Sequence, residues 1–111
     1  MKKLFVSCPV VGRTIPDVCK SMTKMKKIAE AIFEEELEVI PHALVTETRE
    51  NTLSDLVRHV QGLAEADYFI GVRGATGYNS CEIEAEIAHA YDIPRMFVFV
   101  EDILCENETI W

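Results

Sequence analysis

Of the residues that could do chemistry, Glu84 has the most suggestive surroundings, in the run Ser80-Cys81-Glu82-Ile83-Glu84-Ala85-Glu86-Ile87-Ala88. At about 100° per residue along a helix, Ile83, Ile87, Ala90 and Tyr91 make an apolar stripe, and Glu82 and Glu86 share the opposite flank. Glu84 belongs to neither group. It shares a line with Ser80 and Ala88 at the border of the stripe, where the small Ala88 leaves room for an approaching group. A carboxylate held at the edge of a core is one whose pKa burial raises, or whose oxygen can be aimed as a nucleophile. A solvent-facing helix glutamate has the same spacing, so the residues alone leave both readings open. The helix start at Asn79-Ser80-Cys81 offers backbone amides and a positive dipole end, which suit a phosphate, with Arg13 or Arg73 as a guanidinium fork. Glu82 beside that turn opposes an anion. Cys81 is placed for a lowered thiol pKa or for a half-buried packing role.

Other chemistries are poorly represented. His42, His59 and His89 have no ligand spacing with one another or with Cys8, Cys19, Cys81 and Cys105, so no metal is expected. No C-x-x-C, G-x-S-x-G or Walker loop occurs, and Gly71, Gly74 and Gly77 recur every third residue rather than in the dinucleotide fingerprint. Hydride and phosphoryl transfer are disfavoured, and no cofactor is expected.

The elements that must position Glu84 follow from periodicity. Leu4-Phe5-Val6, closed by Ser7-Cys8-Pro9 and Gly12, reads as a buried strand feeding a loop. Thr14 followed by Pro16 and Asp17 starts a helix expected over about residues 15–36, with Val18, Met22, Met25, Ala29 and Ile32 on its inner stripe. Glu38-Val39-Ile40-Pro41 is a short second strand, and residues 42–51 form a loop of a length that often carries function. Leu53, Leu56, Val57, Val60 and Leu63 mark a second amphipathic helix, and Tyr68 to Val72 a third strand after Asp67. A glycine-bearing loop, Arg73 to Tyr78, leads to the third helix, expected over about residues 80–91 with Asn79 and Glu82 as a capping pair. Met96 to Val100 reads as a fully buried fourth strand. This alternation builds one α/β domain, a small doubly wound, Rossmann- or flavodoxin-like parallel sheet of about four to five strands with helices on both faces. Ligands in such sheets sit beyond the carboxyl ends of the strands, so the loops at 8–14, 41–51 and 73–80 should converge.

Composition narrows the classes. With 111 residues, 49% of them hydrophobic and 27% charged, the chain is long enough for a single core. Nineteen acids against eleven bases give a net charge of −8, which disfavours duplex nucleic acid and leaves small ligands open. Residues 1–30 are the exception, with seven bases against two acids, and Lys20, Lys24 and Lys27 at helical spacing read as a solvated face. The apolar stretch after Lys2-Lys3 is too short for a signal peptide, and no run approaches a membrane span. A reducing cytoplasm is the simplest home for four scattered cysteines.

Three segments together resemble the nucleoside 2-deoxyribosyltransferase superfamily, in particular its small, often phage-encoded branch. They are the strand and loop Leu4 to Gly12, the Ala66-Asp67 pair before the third strand, and Ser80 to Tyr91 before Ile93-Pro94. The similarity runs in order over about residues 3–100, and the segment 80–94 is its most specific part. The resemblance implies cleavage or transfer of an N-glycosidic bond of a nucleoside or nucleotide, with Glu84 as the nucleophile at C1′ of the sugar or as a base, and His59 and Asp67 in support. It also implies that Ser7, Cys8, Pro9, Gly12, Arg13, Arg73, Asn79, Ser80 and Cys81 hold sugar and phosphate, and that the chain forms a homodimer or larger homo-oligomer. The superfamily carries an aspartate where this chain has His59, and a tyrosine on the first strand that this chain lacks. A non-catalytic, nucleotide-sequestering protein is the alternative that those departures leave open.

Overall fold

The computed structural model describes residues 1–9, 12–41, 53–73 and 79–105, with the side chains of 53–56, 79 and 80 set aside. Its elements are β1 (Lys2–Val6), α1 (Ile15–Phe33), β2 (Leu37–Val39), α2 (Leu53–Ala64), β3 (Tyr68–Arg73), α3 (Asn79–Ala90) and β4 (Arg95–Phe99), with a 3₁₀ turn at Val100–Asp102. The four strands form one all-parallel sheet in the order β2-β1-β3-β4. This is an α/β fold compatible with a Rossmann- or flavodoxin-like arrangement.

Both faces of β1 are covered, which is why Leu4, Phe5 and Val6 are all fully buried. Side chains alternate along a strand. Leu4 and Val6 therefore pack with Ile70, Leu37 and Ile103 against Met25 and Ala29 of α1, while Phe5 and Phe69 pack against Leu63 of α2 and Ala88 of α3. One helix lies on one face and two on the other. The chain moves outward from β1 to β2, then returns to lay β3 on the other side of β1, so the order reverses between β1 and β3. The carboxyl ends of those two strands are the topological switch point, where open α/β sheets bind ligands.

Several boundaries differ from the sequence reading. Thr14 Oγ1 accepts from the Asp17 amide at 3.2 Å, as the start of α1 requires. The helix nevertheless ends at Phe33 rather than near residue 36, because Glu34 turns left-handed at φ 57° and the chain goes directly into β2. Ile32, expected inside, is exposed. β4 lies at the sheet edge, so it is half-buried rather than fully buried, and Phe99 is open to solvent. Gly71 makes the β3–β4 packing possible, since a Cβ there would fall 2.8 Å from the Phe69 ring and 3.0 Å from that of Phe97. Among the described residues no helix is long and apolar enough to cross a membrane.

Candidate functional site

Three elements each contribute one side chain to a buried polar cluster at the switch point. Ser7 is the first residue beyond β1, and its amide still donates to the Ile70 carbonyl of β3 at 2.9 Å. Two positions after Phe5, its side chain falls on the face covered by α2 and α3. Its hydroxyl donates to Glu84 Oε1 of α3 at 2.6 Å. The other carboxylate oxygen, Oε2, pairs with Nδ1 of His59 from α2 in a short contact. Phe5 presents itself edge-on to the His59 ring, with centroids 6.4 Å apart. Glu84 is only 2% exposed. A carboxylate leaves water at high cost unless its oxygens find donors, and here both have one.

The inner line of α3 is therefore Cys81, Glu84 and Ala88, and not the expected stripe. Ile83 and Tyr91 are exposed and Ile87 is half-buried. Hydrophobicity alone assigned the wrong flank, because the residue that faces inward at the centre of this helix is an acid whose partners come from distant parts of the chain.

The expected ligand loop after β1 is partly a structural device. Arg13, expected as a phosphate fork, is 5% exposed and turns into the fold. Its Nη1 donates to the Pro9 carbonyl at 2.9 Å, and its Nη2 to Ser21 Oγ at 2.6 Å and to the Asp17 carbonyl at 3.4 Å. Ser21 in turn donates to the Ile103 carbonyl at 2.6 Å, so the guanidinium ties the loop to α1 and to the segment after β4. Cys8 is half-buried, with Sγ 3.6 Å from Arg13 Nη1, and Pro9 is buried. Gly12 adopts φ +78°, which only glycine takes without strain. The sequence marks Asp17 only as part of the helix start and gives no sign of Ser21, yet both are buried polar residues on the inner face of α1.

Asp67 is not brought to the cluster. It sits at the amino end of β3, where its Oδ2 accepts from the Lys3 amide at 2.8 Å, so the whole length of β3 separates it from Ser7 and Glu84. Its role is to cap the entry of β1 and β3. Arg73 lies at the carboxyl end of β3, exposed, with its guanidinium 4.3 Å from the centroid of the Phe97 ring. Asn79 and Ser80 open α3 at the same edge of the sheet, and their side chains lie outside the described ones, as does the expected Asn79–Glu82 capping pair. Residues 10, 11, 42–51 and 74–78, the remainder of the expected ligand loops, also lie outside the described residues. Among the described residues, no group of three or more His, Cys, Asp or Glu side chains is arranged to hold a metal ion.

Compared with models of known protein families, with curated proteins and with solved structures, the chain matches none.

Proposed function

We propose that the protein binds a nucleoside or nucleotide beyond the carboxyl ends of β1 and β3 and cleaves its N-glycosidic bond at the Ser7–Glu84–His59 cluster. The observation that carries this reading is the buried Glu84 carboxylate, held on both oxygens at the switch point by donors from two other elements. Cleavage of an N-glycoside develops positive charge at C1′ and the ring oxygen, and a fixed negative charge in a dry site stabilises that transition state. The resemblance of residues 80–94 to the nucleoside 2-deoxyribosyltransferase superfamily also puts Glu84 at the reaction centre. Arg73, on the same edge of the sheet, supplies a cation for a 5′-phosphate. The second reactant is water or an acceptor base, and the reaction draws on no cofactor. Among the described residues Cys8, Cys19, Cys81 and Cys105 form no disulfide, and we place the protein in a reducing cytoplasm.

The test is incubation with ribo- and deoxyribonucleosides and their 5′-monophosphates, followed by chromatography of the free base. Base released by the wild type and lost in Glu84→Gln supports the proposal. A ligand that raises the melting temperature of both proteins while neither releases base contradicts it, and makes the chain a sequestering binder.

The chain is further proposed to act as a homodimer packed through α2 and α3. Val57 and Val60 on α2 and Ile83 and Tyr91 on α3 are exposed, Tyr91 by 78%. Beside Tyr91, the side chains of Val60, Ala64, Ala66 and Ile87 line a groove of about 370 Å³. Tyr91 is itself part of the wall of this apolar groove, with Leu63 and Ile93, so one surface carries both a projection and a recess that a twofold interface can use. The four exposed side chains leave on the order of 400 Å² of largely apolar surface in the open, which with the groove walls approaches the ~800 Å² per partner of a standard interface.

A further inference from the structure

For the proposed N-glycoside site, on which this inference rests, we infer that Arg13 and Ser21, on the α1 side of the sheet, are positioning residues: they fix the turn after β1 and, through Ser7, the aim of the Glu84 carboxylate.

The path starts at the helix. Arg13 immediately precedes Thr14, whose hydroxyl caps α1, so its backbone is set by the start of that helix. Its Nη1 donates to the Pro9 carbonyl at 2.9 Å, and its Nη2 to Ser21 Oγ at 2.6 Å and to the Asp17 carbonyl at 3.4 Å. Ser21 donates its own hydrogen to the Ile103 carbonyl at 2.6 Å, which orients its oxygen to accept from the guanidinium. A planar fork engaged on two nitrogens has its direction fixed, and the Pro9 carbonyl is held with it. Arg13 is only 5% exposed. A buried charge is weak evidence of stability, since apolar side chains of similar volume often serve a fold as well, and what a guanidinium adds is direction.

From Pro9 the path back to the site is short and stiff. The pyrrolidine ring locks φ at Pro9 and confines Cys8 before it to extended backbone. Pro9 is fully buried. On the other side, the Ser7 amide donates to the Ile70 carbonyl of β3 at 2.9 Å. Ser7 is thus held by the sheet before it and by the guanidinium after it, and its side chain has only χ1 to set. With that backbone the hydroxyl meets Glu84 Oε1 at 2.6 Å. Glu84 reaches in from α3 through several rotatable bonds, so the direction of its carboxylate depends on what its oxygens meet.

The consequence falls on the chemical step. Displacing a reacting group by about 1 Å costs on the order of 100-fold in rate, even when the mutation lies far from the chemistry. Ser21 is fully buried on the inner face of α1, across the sheet from α2 and α3, and touches no ligand held at Glu84. Its removal therefore lowers kcat and leaves KM nearly as it was.

The experiment measures base release from the nucleoside 5′-monophosphate that the wild type cleaves fastest, for Ser21→Ala, Ser7→Ala and the double variant, each at a temperature where circular dichroism shows it folded. Ser21→Ala should lower kcat by about 10- to 100-fold with KM changed only a few-fold. Because Ser21 acts through Ser7, adding Ser21→Ala to Ser7→Ala should lower kcat no further. Arg13→Lys, which keeps the charge and loses the fork, gives the same reading by an independent change and should fall at least as far as Ser21→Ala. Unchanged kcat in Ser21→Ala and Arg13→Lys, unchanged kcat in Ser7→Ala, or losses that multiply in the double variant overturn the inference and leave N-glycoside cleavage in place. No base release by the wild type overturns both readings.

Discussion

Ser7 joins the sheet to the polar cluster: its amide donates to the Ile70 carbonyl and its hydroxyl donates to Glu84. Ser7→Ala leaves a buried carboxylate with one donor fewer, and hydrogen bonds to charged groups contribute about 1.5–3 kcal/mol. A loss of that order in urea unfolding at neutral pH, with the fold retained, is the expected outcome. An unchanged midpoint would mean that Glu84 finds its donors elsewhere. How legible such residues are depends on the reach of their contacts. Glu84 was singled out by its angular position on one helix. Its bond to Ser7 spans 77 positions, and no local pattern encodes it. Arg13 was misread for the same reason, since only its bonds to Pro9, Ser21 and Asp17 show that it points inward.

At the scale of elements, hydrophobic runs located the four strands and three α-helices among the described residues, while the ends depended on backbone conformations that no glycine announced. Glu34 and Asp92 both take positive φ at junctions where a glycine would have signalled the turn. Glu34→Gly is therefore expected to leave stability unchanged or raise it by up to about 1 kcal/mol, as read by thermal melting. The junction of α1 and β2 is also held by Glu30, whose carboxylate accepts from the Leu37 amide at 3.0 Å and pairs with Lys26 at 3.3 Å. The Leu37 amide bond, helped by Lys26, holds its pKa below the ordinary carboxylate value. A lowered folded-state pKa contributes stability above the ordinary value and loses it as pH falls through the lowered one. Glu30→Gln should thus destabilise at neutral pH, and its difference from the wild type should vanish in acid. A difference that persists in acid would assign the effect to packing. In the sheet, Gly71→Ala places a methyl group against the Phe69 and Phe97 rings, and overpacking of that kind costs about 1–3 kcal/mol in urea unfolding.

At the scale of the whole molecule, the α/β alternation made the fold class legible, and the strand order places the switch point between β1 and β3. What the pattern could not reveal is which apolar residues remain uncovered in one chain. Val57, Val60, Ile83 and Tyr91 read as core, and the structure leaves them on the outer face of α2 and α3. The proposed packing of two copies through that face would cover them. Sedimentation of the wild type should give twice the chain's 12.6 kDa, and Tyr91→Glu should give one chain with unchanged circular dichroism. A wild type that stays monomeric at all concentrations, or a dimer indifferent to Tyr91→Glu and Val57→Lys, would contradict that interface.

The central claim, that a buried carboxylate and its imidazole partner at the switch point cleave an N-glycosidic bond, is tested most directly by following free base from nucleosides and their 5′-monophosphates. Wild type, Glu84→Gln and His59→Gln are compared in the same incubations. The account predicts release by the wild type and its loss in Glu84→Gln, with His59→Gln also impaired. Release that is equal in all three proteins, or absent from the wild type, would contradict it.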